Sequence, residues 1–187
     1  MSVANASNRL DRPVSVDNDH ILGPATAPIT LVEYGSYACP HCRAANERIA
    51  QARDQLGERL RYVFRHRPIT GSDIAVRAAE LAELAADHDR FWDAHVALMT
   101  RSEVLTEEDL VAVAQEIGIS GDSDSDDDAD DPAQRANARV AADTASARAS
   151  GVMITPTFFI NGERYNGSYE YSPLVEAIES TLKAPHR

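Results

Sequence analysis

The chain has 187 residues, 43% of them hydrophobic, which suits a single domain with a packed core. No apolar run approaches the ~20 residues that a membrane-spanning helix needs, so the sequence predicts no such helix. The net charge of −12 excludes nucleic acid as an expected partner, although seven of the 30 acidic residues are aspartates in one segment, residues 121–131.

The first residues of the chain are polar and contain no apolar stretch of the kind found in a secretory signal peptide. We expect a disordered N-terminal tail over residues 1–19, followed by one domain over residues 20–183. Without a signal peptide the expected location is the cytoplasm, unless the sequence is a fragment of a membrane-tethered protein. In a reducing cytoplasm a close pair of cysteines is more often catalytic than structural.

Two strands and a helix are predicted in the first third of the chain. Residues 29–34 are β-branched and apolar, a pattern typical of a buried strand. A helix-compatible stretch over residues 42–56 ends before Gly57, which suits the end of a helix. Residues 60–65 predict a second strand, and a β-α-β connection of this kind makes the two strands parallel.

The only two cysteines lie between this strand and this helix, in the sequence Cys39-Pro40-His41-Cys42. A thiol at a helix N-terminus is close to unpaired backbone N–H groups and to the positive end of the dipole, which both favour the thiolate. The second thiol, one turn further on, is in reach of a disulfide with the first. The motif therefore predicts a redox pair. Half of a zinc site is the alternative, but zinc needs four ligands and the six histidines show no spacing that completes the set, so we expect no metal and no cofactor.

The middle of the chain is predicted to be helical, and its end returns to strands. Residues 72–117 predict three helices, the third starting with a capping-box pattern at Thr106 and Asp109. An acidic loop over residues 121–132 lacks the glycine and glutamate that an EF-hand needs, and is interpreted as solvated. The remaining predicted elements, in chain order, are a helix over residues 133–150, a strand over 157–160, a turn at Asn161-Gly162, a strand over 164–167 and a helix over 172–182.

This order predicts an α/β protein with a β-α-β unit near one end and a β-β-α unit near the other. The core is expected over about residues 20–70 and 151–183. An all-helical insertion over about residues 71–150 is expected to separate the two parts.

Three features together resemble the DsbA-like branch of the thioredoxin superfamily. They are the Cys-Pro-His-Cys motif after an apolar strand, Glu33 six residues before Cys39, and Thr155-Pro156 before a hairpin. Further matches are most similar to the DsbA-like domains also found fused to bacterial sodium/proton antiporters. These matches are Gly23-Pro24, Ala27-Pro28, Val32-Glu33-Tyr34-Gly35, Phe64-Arg65-His66-Arg67-Pro68 and Thr155-Pro156-Thr157-Phe158-Phe159-Ile160-Asn161-Gly162. The resemblance implies a thioredoxin fold, βαβ…ββα, with a helical insertion.

The resemblance also implies a protein thiol–disulfide oxidoreductase that works through a mixed disulfide. Cys39 is the expected nucleophile, exposed at the start of the helix, and Cys42 is the buried resolving thiol. Pro40 and His41 are expected to tune the redox potential, although a solvated His41 without a role is the alternative. The implied partners are cysteine-containing proteins or peptides, a redox partner of unknown identity, and a membrane transporter as an associated protein.

Other residues follow from the same resemblance. Glu33 matches the family's buried acid, and a raised pKa would suit proton transfer to Cys42; the alternative is that Glu33 faces water. Pro156 resembles the family's cis-proline, beside which Thr155 would present its backbone to a substrate peptide. Related domains commonly have a small residue where this chain has Ile154, which is expected to narrow the groove.

Two further functions are compatible with the sequence. One is a glutathione-linked reductase or transferase on the same fold, although such relatives often have serine in place of the first cysteine. The other is a non-catalytic redox-sensing domain whose dithiol switches binding to a partner. The basic triplet Arg65-His66-Arg67 is expected either to line the rim of the site or to end its strand in solvent.

Overall fold

The computed structural model describes residues 8–101, 103–119 and 131–183. Within these ranges the strands are β1 (His20–Leu22), β2 (Ile29–Gly35), β3 (Leu60–His66), β4 (Thr157–Ile160) and β5 (Glu163–Tyr165). The helices are α1 (Pro40–Leu56), α2 (Asp73–Ala86), α3 (Phe91–Thr100), α4 (Glu107–Glu116), α5 (Pro132–Ala149) and α6 (Tyr171–Lys183).

The strands form one sheet in the order β1-β3-β2-β4-β5. The central strands β2 and β3 are parallel and joined by α1, whereas the other neighbours pair antiparallel. Helices α2 to α5 lie between β3 and β4 in the chain. The predicted order, β-α-β followed by helices and then β-β-α, is confirmed.

The observed elements differ from the predicted ones mainly at their ends. Strand β1 was not predicted, because three half-buried residues give no periodic signal; it pairs with β3 at the edge of the sheet. Strand β5 starts at Glu163, one residue early, directly after a turn in which Asn161 and Gly162 take φ values of 49° and 83°. The capping box predicted at Thr106 and Asp109 is confirmed at the start of α4.

The predicted disordered tail over residues 1–19 is wrong for residues 8–19. This segment, here called the N-terminal strap, covers one face of the sheet, where Leu10 and Val14 pack against a buried cluster. The cluster consists of Val32, Tyr34, Val63, Ala147, Val152 and Phe159. The backbone N–H of Leu10 also donates to the Gly162 carbonyl at 2.9 Å. Two apolar side chains in a polar segment are too weak a pattern to predict this contact.

A buried ion pair fixes the strap to the sheet. Arg65 on β3 is completely buried, and its guanidinium donates to both carboxylate oxygens of Asp19 at 2.7 and 3.0 Å. It also donates to the Tyr34 hydroxyl at 3.0 Å and to the Pro13 carbonyl at 3.3 Å. The interpretation of Arg65 and His66 as a solvated strand end is therefore wrong, because both are buried.

The other face of the sheet carries the larger core, formed with the insertion and with α1 and α6. Most of the predicted acidic loop, residues 121–130, lies outside the described residues. Its last two residues belong to α5 instead: Asp131 accepts a hydrogen bond from the Ala133 N–H at 2.9 Å, and Pro132 is the first helical residue. Among the described helices, none has the length and apolar character needed to cross a membrane.

Replacing the buried arginine is expected to destabilise the protein. Arg65→Met leaves the Asp19 carboxylate buried without its partner, so the free energy of unfolding should fall by about 3–5 kcal/mol. Urea unfolding measures this loss. Arg77→Met is the control, because it breaks an exposed pair with Glu107 (2.9 Å) and should cost less than about 1 kcal/mol. Equal losses in both variants would contradict the anchoring role of the Arg65–Asp19 pair.

Candidate functional site

Cys39 lies at the N-terminus of α1, in the position that caps the helix. Its backbone is extended (φ −96°, ψ 117°), and Pro40 is the first helical residue, where no backbone N–H is needed. The Cys39 N–H donates to the Ser36 carbonyl at 3.1 Å, which fixes the short turn after β2. The helix thus starts two residues earlier than predicted. The expectation of an exposed Cys39 is also wrong, because only 5% of the residue is accessible.

The surroundings of Cys39 favour its thiolate. A hydrogen bond from the Cys42 thiol makes the largest contribution and, with a contact to Thr155 and the N–H groups of Cys42 and His41, lowers the pKa of Cys39 to about 5. Burial acts in the opposite direction but is outweighed. At neutral pH in the reduced protein, Cys39 is therefore ionised and ready to act as a nucleophile.

Cys42 has the opposite character. It lies in the first turn of α1 and is completely buried. Burial raises the pKa of Cys42 far above that of an ordinary thiol, and the neighbouring Cys39 and Glu33 raise it further. The Ser36 N–H donates to its sulfur at 3.4 Å, which offsets only a small part of this effect. Both cysteines are reduced in this structure, so the pair consists of one thiolate and one thiol.

Glu33 lies in the middle of β2 and is 1% exposed, so the alternative of a water-facing Glu33 is wrong. Burial raises the pKa of Glu33 to about 8, although a hydrogen bond from Tyr62 opposes this effect. The Tyr62 hydroxyl donates to Oε2 at 2.7 Å. No described residue makes a hydrogen bond of standard geometry to Glu33 Oε1. An interaction with the Cys42 thiol lowers the pKa of Glu33, but it is the smallest of the contributions. The carboxyl group is thus protonated at neutral pH and lies beside the buried thiol.

Gly35 makes room for this arrangement. A Cβ atom at this position would lie 2.8 Å from Glu33 Oε1 and 2.6 Å from the Phe64 ring, so any other residue would displace the carboxyl group. In the sequence, Gly35 is marked only as part of the family match Val32-Glu33-Tyr34-Gly35. Its role depends on two neighbours in space and carries no local signal.

Thr155 and Pro156 lie against the dithiol from the other side. The peptide bond between them is cis. The Cys39 Sγ lies 3.4 Å from the Thr155 carbonyl oxygen, across 116 residues of sequence. Thr157 Oγ1 donates to the Ile154 carbonyl at 2.7 Å and closes the turn before β4. Ile154 is 74% exposed, so it is available for contact with another molecule.

The Cys-Pro-His-Cys histidine is held by a residue that the sequence did not indicate. His41 is exposed, and its Nδ1 lies 3.1 Å from the hydroxyl of Tyr169, in the loop before α6. His41 is thus exposed to solvent, and its role stays a prediction. A pair separated by 128 residues leaves no local pattern from which it could have been predicted.

His95 on α3 is a second residue that the sequence did not indicate. It contacts both the turn before Cys39 and helix α1. Its Nδ1 lies 3.3 Å from the hydroxyl of Tyr37, two residues before Cys39, and its Nε2 lies 3.3 Å from Asn46 Oδ1 on α1. Burial lowers the pKa of His95 to about 3, so the ring is neutral. The insertion thus contacts the active-site turn and helix through one uncharged imidazole.

Two histidines meet an acidic residue in a cluster that does not include the cysteines. His20, His66 and Glu83 bring their ligand atoms within 4.8 Å of one another. Glu83 Oε1 lies 2.8 Å from Nε2 of each histidine, and its Oε2 accepts from Arg139 at 2.6 Å. Burial would raise the pKa of Glu83, but these hydrogen bonds keep it below its usual range. Since both imidazole nitrogens point at one carboxylate oxygen, the group acts as a hydrogen-bonded network that joins β1, β3, α2 and α5.

Comparison with known proteins agrees with this geometry. A family model described as Thioredoxin matches residues 15–180. A protein named Na(+)/H(+) antiporter NhaA from Nitrosospira multiformis is 53% identical over 175 residues, which cover 94% of this chain but only 28% of that protein. The chain therefore spans little more than a quarter of this relative's length.

Solved structures show the same fold. A thioredoxin-like oxidoreductase from Silicibacter pomeroyi superimposes with a TM-score of 0.74 at 28% identity, covering 97% of this chain and all of the other. Oxidised BdbD from Bacillus subtilis gives a TM-score of 0.71 at 23% identity, covering 96% and 98%. The predicted thioredoxin fold is confirmed.

Removing the thiol of Cys42 is expected to raise the pKa of Cys39, because the hydrogen bond between the two is the largest stabilising contribution to the thiolate. In Cys42→Ala the thiolate should titrate several pH units above 5, towards the ordinary value. Cys42→Ser is the matched control, since its hydroxyl still donates and should keep the pKa low. Thiolate absorbance near 240 nm, followed against pH, measures both. The same midpoint in the two variants would contradict the proposed cause.

Proposed function

The chain belongs to the thioredoxin family, and from that premise we propose that it is a protein thiol–disulfide oxidoreductase acting through Cys39 and Cys42. The observation that carries the proposal is the contrast between the two sulfurs: a thiolate at a helix N-terminus directly beside a buried, protonated thiol. Only such a pair has one sulfur ready to attack and a second held back until the first has reacted.

In the reducing direction, the Cys39 thiolate attacks one sulfur of a substrate disulfide. A Cys39–substrate disulfide forms, the substrate S–S bond breaks, and the departing thiolate takes a proton from water. Cys42 then loses its proton and attacks Cys39 Sγ, so that the Cys39–Cys42 disulfide forms and the second substrate thiolate leaves. Two electrons pass from the dithiol to the substrate; oxidation of a substrate dithiol is the same sequence reversed.

Glu33 is proposed to manage the proton of Cys42. Its carboxyl group lies beside this thiol, and a pKa of about 8 lets it hold or release a proton near neutral pH. When the thiolate charge of Cys39 is consumed in a mixed disulfide, the repulsion that helps to raise the pKa of Glu33 disappears, and ionised Glu33 accepts the Cys42 proton. Pro40 and His41 between the cysteines are proposed to set the redox potential.

Substrates are proposed to be cysteine-containing proteins or peptides that lie along Thr155 and Pro156. Cys39 is within hydrogen-bonding distance of the Thr155 carbonyl, so a substrate cysteine bound here reaches the nucleophile. Met153 and Ile154, 82% and 74% exposed, offer an apolar surface next to this position. An extended polypeptide with apolar side chains near its cysteine matches this surface.

A redox-sensing domain associated with a transporter is the second candidate. The observation that favours it is the similarity to the protein named Na(+)/H(+) antiporter NhaA. The matched region makes up 28% of that protein. In that case the dithiol would change its oxidation state once, without repeated turnover of substrates. Catalytic turnover therefore separates the two functions.

Cysteine variants test the proposed mechanism. Cys39→Ser should abolish reduction of insulin disulfides and oxidative refolding of ribonuclease, because no nucleophile remains. Cys42→Ser should accumulate a stable mixed disulfide with substrate, visible by mass spectrometry and released by a reductant. Full activity of Cys39→Ser would overturn the mechanism, and a wild-type protein that forms a single mixed disulfide without turnover would favour the sensor.

The reduction potential of the Cys39–Cys42 pair decides the direction of electron flow. A value near ~−270 mV, as in thioredoxin, would indicate a reductase, whereas a value near ~−120 mV would indicate an oxidase. The stabilised thiolate of Cys39 favours the latter.

Glu33→Gln is expected to slow resolution of the mixed disulfide by about 10²-fold, the lower end of what general acid–base catalysis contributes. Glutamine has nearly the same shape and accepts the hydrogen bond from Tyr62, but it cannot take a proton. Rapid-mixing measurement of Cys39–substrate disulfide decay gives this rate, while formation of the mixed disulfide should change little. Equal rates in the two proteins would exclude Glu33 as the proton acceptor.

The same variant has a predicted effect on stability. Folding raises the pKa of Glu33 from 4.5 to about 8, so between these pH values the folded protein holds a proton that the unfolded chain has lost. Wild-type stability is therefore reduced progressively as pH rises through this window. The advantage of Glu33→Gln over the wild type, measured by urea unfolding of the reduced proteins, should grow from pH 4.5 to pH 8.

A further inference from the structure

The hydroxyl of Tyr169 holds the imidazole of His41. The hydroxyl oxygen lies 3.1 Å from Nδ1, and the two rings meet edge to face with centroids 6.5 Å apart. His41 is exposed, whereas Tyr169 is half-buried and packs against the large core. The contact therefore joins His41, which would otherwise be free to rotate on the helix surface, to a tyrosine that is fixed by packing.

The loop that carries Tyr169 is itself held in place at both ends. The Tyr165 hydroxyl donates to the Ser168 carbonyl at 2.8 Å, and Ser168 Oγ accepts from the Glu170 N–H at 3.1 Å. Arg48 on α1 donates to Glu170 at 3.2 Å, which ties the loop to the active-site helix. A Cβ atom on Gly167 would lie 2.4 Å from the Tyr165 hydroxyl, so any other residue there would displace the Tyr165 ring. The position of Tyr169 relative to α1 is thus fixed by several contacts.

The hydroxyl suits both charge states of the imidazole. It donates to Nδ1 when this nitrogen carries no proton and accepts from Nδ1–H when the ring is an imidazolium. The backbone N–H of His41 already interacts with the Cys39 thiolate, so the ring belongs to the residue next to the charge. Without the tyrosine, an exposed histidine would spread over several rotamers, and its average interaction with the thiolate would weaken.

We propose that Tyr169 is a positioning residue that holds the His41 imidazole beside the Cys39 thiolate and thereby makes the Cys39–Cys42 pair more oxidising. The physical reason is that an imidazole N–H held in one orientation stabilises the reduced, thiolate form more than a mobile one. This inference rests on the proposed redox function of the dithiol. It concerns the equilibrium of the pair and does not depend on which substrate is turned over.

The test is the equilibrium of the purified protein with glutathione, in which the dithiol and oxidised glutathione give the protein disulfide and two reduced glutathione molecules. Tyr169→Phe keeps the ring and removes one hydrogen bond, so the equilibrium should move ~3- to 10-fold towards the disulfide. For this two-electron couple the change corresponds to about 14–30 mV towards more negative potential. Tyr171→Phe, two residues further on and also half-buried, is the matched control and should not move the equilibrium.

A double-mutant cycle separates positioning from a general structural effect. If Tyr169 acts through His41, Tyr169→Phe should have no further effect in a His41→Ala background. An equal shift in both backgrounds, or no shift in the single variant, would overturn the proposal. A measurement on the wild type needs no variant: the nitrogen chemical shifts of His41 should show one ordered ring with Nδ1 hydrogen-bonded, and free rotamer averaging would contradict the proposal.

The outcome is distinguishable from failure of the proposed function. A wild-type protein that neither reduces insulin nor refolds ribonuclease would exclude the oxidoreductase, whereas the glutathione equilibrium would still report whether Tyr169 acts on His41. Conversely, full turnover with an unchanged equilibrium in Tyr169→Phe would exclude only the positioning role.

Discussion

The antiparallel register between β2 and β4 is the constraint on which the site depends. Tyr34 near the end of β2 lies opposite Thr157 at the start of β4, so the residues just beyond these two strand ends must meet. Beyond β2 the chain turns into Cys39, and before β4 it passes through Thr155 and Pro156. A shift of one residue would exchange the two faces of the strand and separate the thiol from the Thr155 carbonyl. The parallel pairing of β2 with β3 then places Phe64 opposite Glu33, close to the buried carboxyl group.

The two faces of the sheet stabilise this register by different means. One face packs apolar side chains against the insertion and the terminal helix. The other is covered by α5 and by the N-terminal strap, whose attachment depends on the buried Arg65–Asp19 pair. Burying two charges is costly, and it is tolerated here because the guanidinium also donates to a tyrosine hydroxyl and to strap carbonyls. The strap therefore belongs to the domain, although its sequence has the polar character of a tail.

Sequence patterns predicted those parts of the site that depend on neighbours along the chain. The apolar run of β2 and the proline after Cys39 are local signals, and they located one side of the dithiol. The resemblance to DsbA-like proteins placed Thr155-Pro156 on the other side. Contacts between distant segments gave no such signal. His20, His66 and Glu83 are separated in sequence, and Tyr169 lies 128 residues from His41. Burial of Cys39 was also misjudged, since a residue at a helix N-terminus is covered or exposed according to which loop packs against it.

The contrast between the two sulfurs also bears on the direction of electron flow. At pH 7, only a thiol that folding converts from the protonated to the ionised form changes the stability of the reduced protein. Cys39 does so, since its pKa falls from 9.0 to about 5, which stabilises the dithiol by about 3 kcal/mol, or ~60 mV for two electrons. Cys42 does not, because a thiol is protonated at pH 7 whether its pKa is ordinary or raised. Burial of Cys42 thus leaves the balance unchanged. The hydrogen bond from the Cys42 thiol, with smaller contributions from the N–H groups at the helix N-terminus, moves it towards the reduced pair. A stabilised dithiol is an oxidising disulfide, so under the proposed function the local electrostatics of α1 favour transfer of a disulfide to the substrate.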